Sequence, residues 1–155
     1  MWVYILDGSG ATAEVTRLLL QQAQLGRVHH VCSELRDLRT TFPPLPPHAP
    51  EVPARILFLL DAGLSRELTG YLADALTTLA KDECPWEWLV LSLVTPGAKN
   101  TLPADLTSLT QWCGELVKPI DTHLIRYIVD TRFESLQAST SDASSRQTPP
   151  SDQRR

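Results

Sequence analysis

Short apolar runs alternate five times with stretches in which apolar residues recur every three or four positions. The apolar runs cover residues 2–6, 28–32, 56–60, 88–94 and 116–117. The helical spacing covers residues 11–25, 35–42, 68–79, 102–109 and 120–128. Parallel strands need crossover connections, and near-continuous apolar runs indicate strands that are buried on both faces. The alternation therefore predicts an α/β fold with a doubly wound, mostly parallel sheet.

Two segments depart from this alternation. Residues 43–53, "PPLPPHAPEVP", cannot form a helix interior or a central strand, because proline lacks the amide proton that both need. We interpret them as a surface loop inserted between the second helix and the third strand, with a ligand for a proline-binding domain as the alternative. Residues 135–155 are rich in Ser, Thr, Gln and Pro and predict a disordered tail. The folded domain is therefore expected to span residues 1–134.

Composition excludes several classes of function. The 155 residues include 14 basic and 18 acidic side chains, with a net charge of −4 and no basic stripe, which argues against a nucleic-acid partner. The three cysteines, Cys32, Cys84 and Cys113, are odd in number and far apart, so they predict neither a disulfide framework nor a zinc site. The first apolar run ends at Asp7 without a basic leader or a membrane-length span. We therefore expect a cytoplasmic protein without a membrane partner.

Chemically active side chains follow four of the predicted strands. Asp7 follows the first, Asp61 the third, Thr95 the fourth and Lys118 the fifth. The carboxyl ends of parallel strands share one edge of the sheet, so these groups are expected to lie together. Paired carboxylates suit Mg²⁺, and a carboxylate beside that ion can attack a phosphoryl donor while a hydroxyl and an ammonium bind the phosphoryl oxygens. The pattern predicts a site for phosphoryl chemistry.

Four motifs in this order resemble the receiver domain of two-component response regulators. They are "VYILDGS", "ILFLLDAGLS", "LVLSLVTPG" and "ELVKPID", and the resemblance covers about residues 1–134. It implies a flavodoxin-like (βα)5 fold with strand order 2-1-3-4-5. It also implies that the chain is not an enzyme beyond accepting a phosphoryl group and catalysing its own dephosphorylation.

The resemblance assigns a role to each of these positions. Asp61 corresponds to the phosphoacceptor, and Asp7 to the first of two acidic metal ligands. The main-chain carbonyl of Gly63 corresponds to a further Mg²⁺ ligand. Thr95 corresponds to the switch hydroxyl, and Lys118 to the phosphate-binding ammonium, followed by a proline whose peptide bond is usually cis in receivers.

Three positions depart from the receiver pattern. Gly8 replaces the second acidic residue, so Mg²⁺ binding is expected to be weaker. Glu115 stands where receivers often have an aromatic residue, and Pro96 follows Thr95 in place of a small residue. These departures favour a pseudo-receiver in a phosphorelay or related pathway. Its expected partners are a histidine kinase or another signalling protein, with docking or homodimerisation through about residues 103–134.

Two functions from other classes stay open. The turn "DGSGAT" at residues 7–12 lies between a strand and a helix and suits a nucleotide- or small-molecule-binding domain, although it lacks the spacing of a phosphate-binding loop. A scaffold without any ligand would tolerate Asp61→Asn. Asp7 itself has a second interpretation, because a turn into a helix favours Asp, Gly and Ser for capping alone.

Histidine and tryptophan patterns have plain structural interpretations. Strand alternation places His29 and His30 on opposite faces, so only one of them can share a face with Cys32, and a core or edge histidine is favoured over a metal ligand. The four tryptophans are expected to pack in the core or cover an edge. Trp86 and Trp88 share a strand face, and an exposed aromatic contact patch is the alternative for that pair.

Overall fold

The computed structural model describes residues 1–42, 54–81 and 86–144, with side chains of the last helix described as far as Ala138. Five parallel strands form one sheet in the order β2-β1-β3-β4-β5. They are β1 (Trp2–Leu6), β2 (Val28–Cys32), β3 (Ala54–Asp61), β4 (Trp86–Val94) and β5 (Trp112–Val117). The predicted α/β class, the parallel sheet and the strand order are confirmed.

Five helices connect and follow these strands. They are α1 (Gly10–Gln22), α2 (Leu35–Thr41), α3 (Arg66–Lys81), α4 (Ala104–Thr107) and α5 (Thr122–Ser144). Helices α1 and α5 pack on one face of the sheet, and α2, α3 and α4 pack on the other. Two of the helices begin after a serine that caps them, because the Ser9 hydroxyl accepts from Thr12 N and the Ser65 hydroxyl accepts from Leu68 N.

Burial on both faces explains why the strands have continuous apolar sequences. Along β1, Tyr4 belongs to the core beneath α2 and α3, whereas Val3 and Ile5 belong to the core beneath α1 and α5. On the α2 and α3 face, the Tyr4 ring stacks on Phe58 at a centroid distance of 5.4 Å, and Phe42 meets both rings edge to face. This aromatic cluster joins β1, β3 and the end of α2.

The turn from α1 into β2 depends on one glycine. Gly26 has a φ of 81°, a left-handed conformation that side chains with a Cβ disfavour. A Cβ atom built at this position would lie 2.6 Å from Val3 Cγ2. The close approach of the turn to β1 therefore requires glycine.

Register aligns the carboxyl ends of the strands. Leu6 pairs with Cys32 and with Leu60, and Asp61 pairs with Leu93. Val94, the last residue of β4, pairs with Val117, the last residue of β5. The residues that follow the strands therefore emerge at the same edge of the sheet.

Three elements differ in length from the sequence prediction. Helix α4 is a single turn, whereas the leucine spacing predicted a helix over 102–109; its N-cap is Pro103, which provides no side-chain acceptor. Strand β5 begins at Trp112, ahead of the predicted 116–117, and contains Gly114 at a φ of 121° beside a register shift in β4. Gly114 and the bulge interrupt the apolar run, so the sequence does not show the full length of this strand.

The third difference is the end of the chain. Helix α5 continues to Ser144, so residues 135–144 of the predicted disordered tail are helical. Phe133 and Leu136 continue the apolar face of α5 over the sheet, and the ring of Phe133 lies under the Arg55 guanidinium at 4.8 Å. The proline-rich segment 43–53, Cys84 and residues 145–155 lie outside the described residues, and the predictions for them stay predictions.

Candidate functional site

Asp7 follows the end of β1 and closes the turn into α1. Its amide donates to Cys32 O at 3.2 Å, and its carboxylate Oδ1 accepts the amide of Ser9 at 2.8 Å. The side chain is nearly sealed from solvent, with the residue only 3% exposed. Asp7 therefore orders the turn with one carboxylate oxygen and directs the other toward the strand ends.

Asp61 is the last residue of β3. Its carboxylate Oδ2 accepts the amide of Gly63 at 3.0 Å, which folds the chain tightly beneath the side chain. The next amide, that of Ala62, donates to Leu93 O at 2.9 Å and holds the strand end against β4. This leaves Oδ1 of Asp61 directed toward β5.

Lys118 joins the two carboxylates. Its Nζ lies 2.6 Å from Asp61 Oδ1 and 2.8 Å from Asp7 Oδ2, with the side chains largely buried. The backbone amide of Lys118 donates to Val94 O at 2.9 Å, and the peptide bond to Pro119 is cis. Burial lowers the pKa of Lys118, but the hydrogen bonds to Asp61 and Asp7 and the charge of these carboxylates more than offset burial and raise the pKa. At neutral pH the Lys118 ammonium is therefore a cation between two carboxylates.

A cavity of about 780 Å³ opens above this ion pair network. Gly63 and Thr95 line it together with the three charged residues, so all the predicted site residues border one space. Thr95 is exposed, and within the described chain its hydroxyl makes no hydrogen bond to either carboxylate. Thr95 is therefore a neighbour of the site because it lines the cavity, and not because it is hydrogen-bonded to a carboxylate.

Asn100 is a neighbour that the sequence did not indicate. A Cβ placed on Gly63 would lie 3.0 Å from Asp61 Oδ2 and 3.2 Å from the Asn100 Nδ2, so both side chains border the same side of Gly63. Asn100 belongs to the loop after Thr95, five residues further along, and no spacing rule connects the two positions. Only the path of the loop brings it there.

Two of the departures from the receiver pattern lie in open positions. Gly8 is exposed, and a Cβ added there would meet nothing within 4 Å, so the missing carboxylate leaves space beside Asp7. Glu115 is exposed on β5, opposite Ser92 of β4. Val117, at the end of the same strand, is 62% exposed.

The histidines and tryptophans have structural surroundings. His29 lies 2.7 Å from Leu25 O through its Nε2, whereas His30 packs on the rings of Tyr4 and Trp2, on the opposite face. Over residues 1–42, 54–81 and 86–144, no three His, Cys, Asp or Glu side chains are grouped so that they could hold a metal ion. Trp86 and Trp88 are 7% and 4% exposed, so the aromatic contact patch is wrong for this pair.

Comparison with known proteins locates the fold. No protein-family model matches the chain, and no curated protein matches it. Among solved structures it is similar to the crystal structure of a response regulator receiver protein from Dyadobacter fermentans DSM 18053, with a TM-score of 0.54. The match has 15% sequence identity and covers 86% of this chain and 98% of that one. The chain has a receiver-like fold.

The receiver-like fold confirms the resemblance drawn from the four motifs at the level of architecture. Within the part of the chain that is described, no helix has the length and apolar character needed to cross a membrane.

Proposed function

We propose that this protein is a cytoplasmic, receiver-like signalling module that acts through contacts with other proteins. Asp61 is its phosphoacceptor position, within an acidic pocket that lacks one carboxylate. The observation that carries the proposal is the Lys118 ammonium, which lies within hydrogen-bond distance of both Asp7 and Asp61 at the carboxyl edge of a receiver-like sheet. Charged groups from three strands meet there at a point open to a cavity.

The proposed reaction is transfer of a phosphoryl group to Asp61. A carboxylate oxygen of Asp61 attacks phosphorus, the bond from phosphorus to the donor nitrogen breaks, and the donor histidine leaves as a neutral imidazole after taking up a proton. Lys118 and the hydroxyl of Thr95 bind the phosphoryl oxygens and stabilise their charge. Attack of water on the aspartyl phosphate releases inorganic phosphate and returns the carboxylate.

Magnesium fits this site only in part. Asp7 and Asp61 offer carboxylate oxygens, and Mg²⁺ is commonly held by one or two carboxylates together with water. Bound there with the Gly63 carbonyl, it would supply positive charge next to the phosphoryl oxygens. The ammonium of Lys118 already contacts both carboxylates, and Gly8 adds no third charge. We therefore propose weak Mg²⁺ binding and a module whose partner contacts do not require phosphate.

Gly8→Asp is expected to strengthen Mg²⁺ binding by about tenfold, because ligand charge sets affinity for this ion. The space beside Gly8 admits the side chain without a clash, so the fold should be unchanged. Isothermal titration calorimetry measures the affinity, and Gly8→Asn supplies the matched neutral side chain. Equal affinities in the Asp and Asn variants would place the metal elsewhere.

Partner binding is proposed for the face formed by about residues 103–134. Val117, Leu124 and Tyr127 are large apolar side chains on this face that are exposed to solvent, with Tyr127 at 68%. Exposed apolar groups of this kind mark protein interaction surfaces. A histidine kinase, another signalling protein or a second copy of the chain would bury them.

Amide NMR tests the phosphoacceptor directly. The protein is titrated with Mg²⁺ and then with beryllofluoride, which mimics an aspartyl phosphate, beside the Asp61→Asn variant. Saturable shifts at Asp7, Asp61, Thr95 and Lys118 that vanish in the variant are the expected result. A well-folded wild-type protein without these shifts at millimolar Mg²⁺ would remove phosphorylation from the proposal and leave constitutive partner binding.

A small-molecule-binding domain is the second candidate. The cavity of about 780 Å³ lies beside the turn at residues 7–12, and pockets of this volume are typical of small-ligand sites.

A further inference from the structure

The cavity continues beyond the charged residues as an apolar cleft between α1 and the β5–α5 connection. One wall contains Val15 and Leu19 of α1, and the other contains Pro119 and Ile120. Val15 is 54% exposed although it lies next to the cleft, so this wall is open to solvent. The charged network of Asp7, Asp61 and Lys118 forms one end of the cleft, and α1 forms its length.

Thr16 provides a polar group within this apolar cleft. The residue is only 4% exposed and lines the cavity. Among the described residues its hydroxyl has no hydrogen-bond partner, and it is not sealed from solvent, so its accessible side is the cavity. Other helical threonines behave differently: Thr41 and Thr77 donate to the carbonyl four residues earlier, at 2.9 and 2.7 Å. The Thr16 hydroxyl can therefore donate a hydrogen bond to a ligand in the cleft or accept one from it.

The charge at the end of the cleft selects the kind of ligand. Two carboxylates and one ammonium give a net charge of −1. Each carboxylate oxygen accepts one hydrogen bond from the protein and has a further lone pair free. A cationic group in the cleft would neutralise this net charge. The head group that fits is therefore a hydrogen-bond donor with a positive charge.

We propose that the cleft binds a small organic cation, a protonated primary amine with an aliphatic body and a hydroxyl group that reaches Thr16. The ammonium contacts the Asp61 carboxylate at the charged end of the cleft, and the aliphatic body covers Val15, Leu19 and Ile120. Helix α1 rises roughly 10 Å between Ser9, which follows the charged end of the cleft, and Thr16, so a ligand that reaches both ends needs a body of about this length. This inference uses the same carboxylates as the proposed function but requires no phosphorylation of Asp61.

The test uses the full chain without Mg²⁺ or beryllofluoride, with 6-amino-1-hexanol, hexylamine, 1-hexanol and hexanoate as probes. Amide NMR is expected to show saturable shifts along the first half of α1 and at Lys118 for the two amines. Hexanol and hexanoate should bind at least about tenfold more weakly, because they lack the cation. Absence of saturable shifts with the amines, or equal binding of hexanol and hexylamine, would overturn the proposal.

Two variants separate the contacts. Thr16→Val keeps the shape of the side chain. It should weaken the binding of 6-amino-1-hexanol by about fivefold and leave the affinity for hexylamine unchanged. Val15→Ser changes an exposed residue, so the fold is preserved. This variant should weaken the binding of both amines. Equal loss of both amines in Thr16→Val would contradict the hydroxyl contact. A negative amine titration together with a positive beryllofluoride response would reject the ligand and leave the proposed function standing.

Discussion

Lys118→Met is expected to lower the free energy of unfolding by about 3 kcal/mol at pH 7, because removing one partner of a buried ion pair leaves the other charged and unpaired. Two carboxylates lose their cation in this variant, and Asp7 is almost inaccessible to water. Methionine retains most of the aliphatic volume, so the loss reports the charge. Urea unfolding followed by circular dichroism measures it.

The matched control is Lys99→Met, which removes an exposed lysine from a neighbouring loop and should change stability by less than about 0.5 kcal/mol.

The pH dependence of the free energy of unfolding provides a second check. The pKa of Lys118 is raised above its ordinary value of 10.5, so its stabilising contribution is complete below that pH. The contribution disappears as the pH rises through the higher folded-state value. The difference between wild type and Lys118→Met should therefore be constant near neutrality and shrink above pH 10.5; a difference that persists unchanged there would assign the loss to packing.

Phe58→Ala is expected to destabilise the protein by about 4 kcal/mol and to lower Tm by roughly 10 °C, since a buried aromatic side chain leaves a cavity when it is truncated. Phe58 is fully buried in the central strand β3. It contacts the rings of Tyr4 and Phe42, so the variant also loses two aromatic contacts. Differential scanning calorimetry gives the change in Tm.

Tyr127→Ala is the control for aromatic truncation as such. Tyr127 is 68% exposed, and its replacement should alter stability by less than about 0.5 kcal/mol. A comparable loss in both variants would mean that Tyr127 is covered in solution, as it would be in a dimer formed through residues 103–134.

The sequence predicted the site residues because their positions follow from strand ends. A buried parallel strand must contain apolar residues, so the first charged residue after it marks its carboxyl end, as at Asp7 and Asp61. Lys118 was harder to locate in structure, since Gly114 and the bulge interrupt the pattern of β5. The short apolar run at residues 116–117 still marked its strand end, and the register with β4 places it beside the carboxylates.

Helix lengths were less accessible to sequence reasoning. The leucines at 102, 106 and 109 have helical spacing, yet α4 is one turn. The spacing of apolar residues indicates which side chains face the core. The length of a helix depends instead on its capping residues and on contacts with neighbouring elements. The opposite error occurred in α5, whose polar continuation is helical to Ser144 although its composition is typical of disorder.

By itself the sequence determined the architecture and the identity of the charged groups. Hydrophobic periodicity is a local property of the sequence. Burial on both faces of a parallel sheet gives each strand a nearly continuous apolar run. Only the tertiary structure decided the bonds of Lys118, the position of Asn100 beside Gly63 and the position of Thr16 in the cleft. Each of these depends on distances between segments far apart in the chain, and such distances are set by the packing of whole elements.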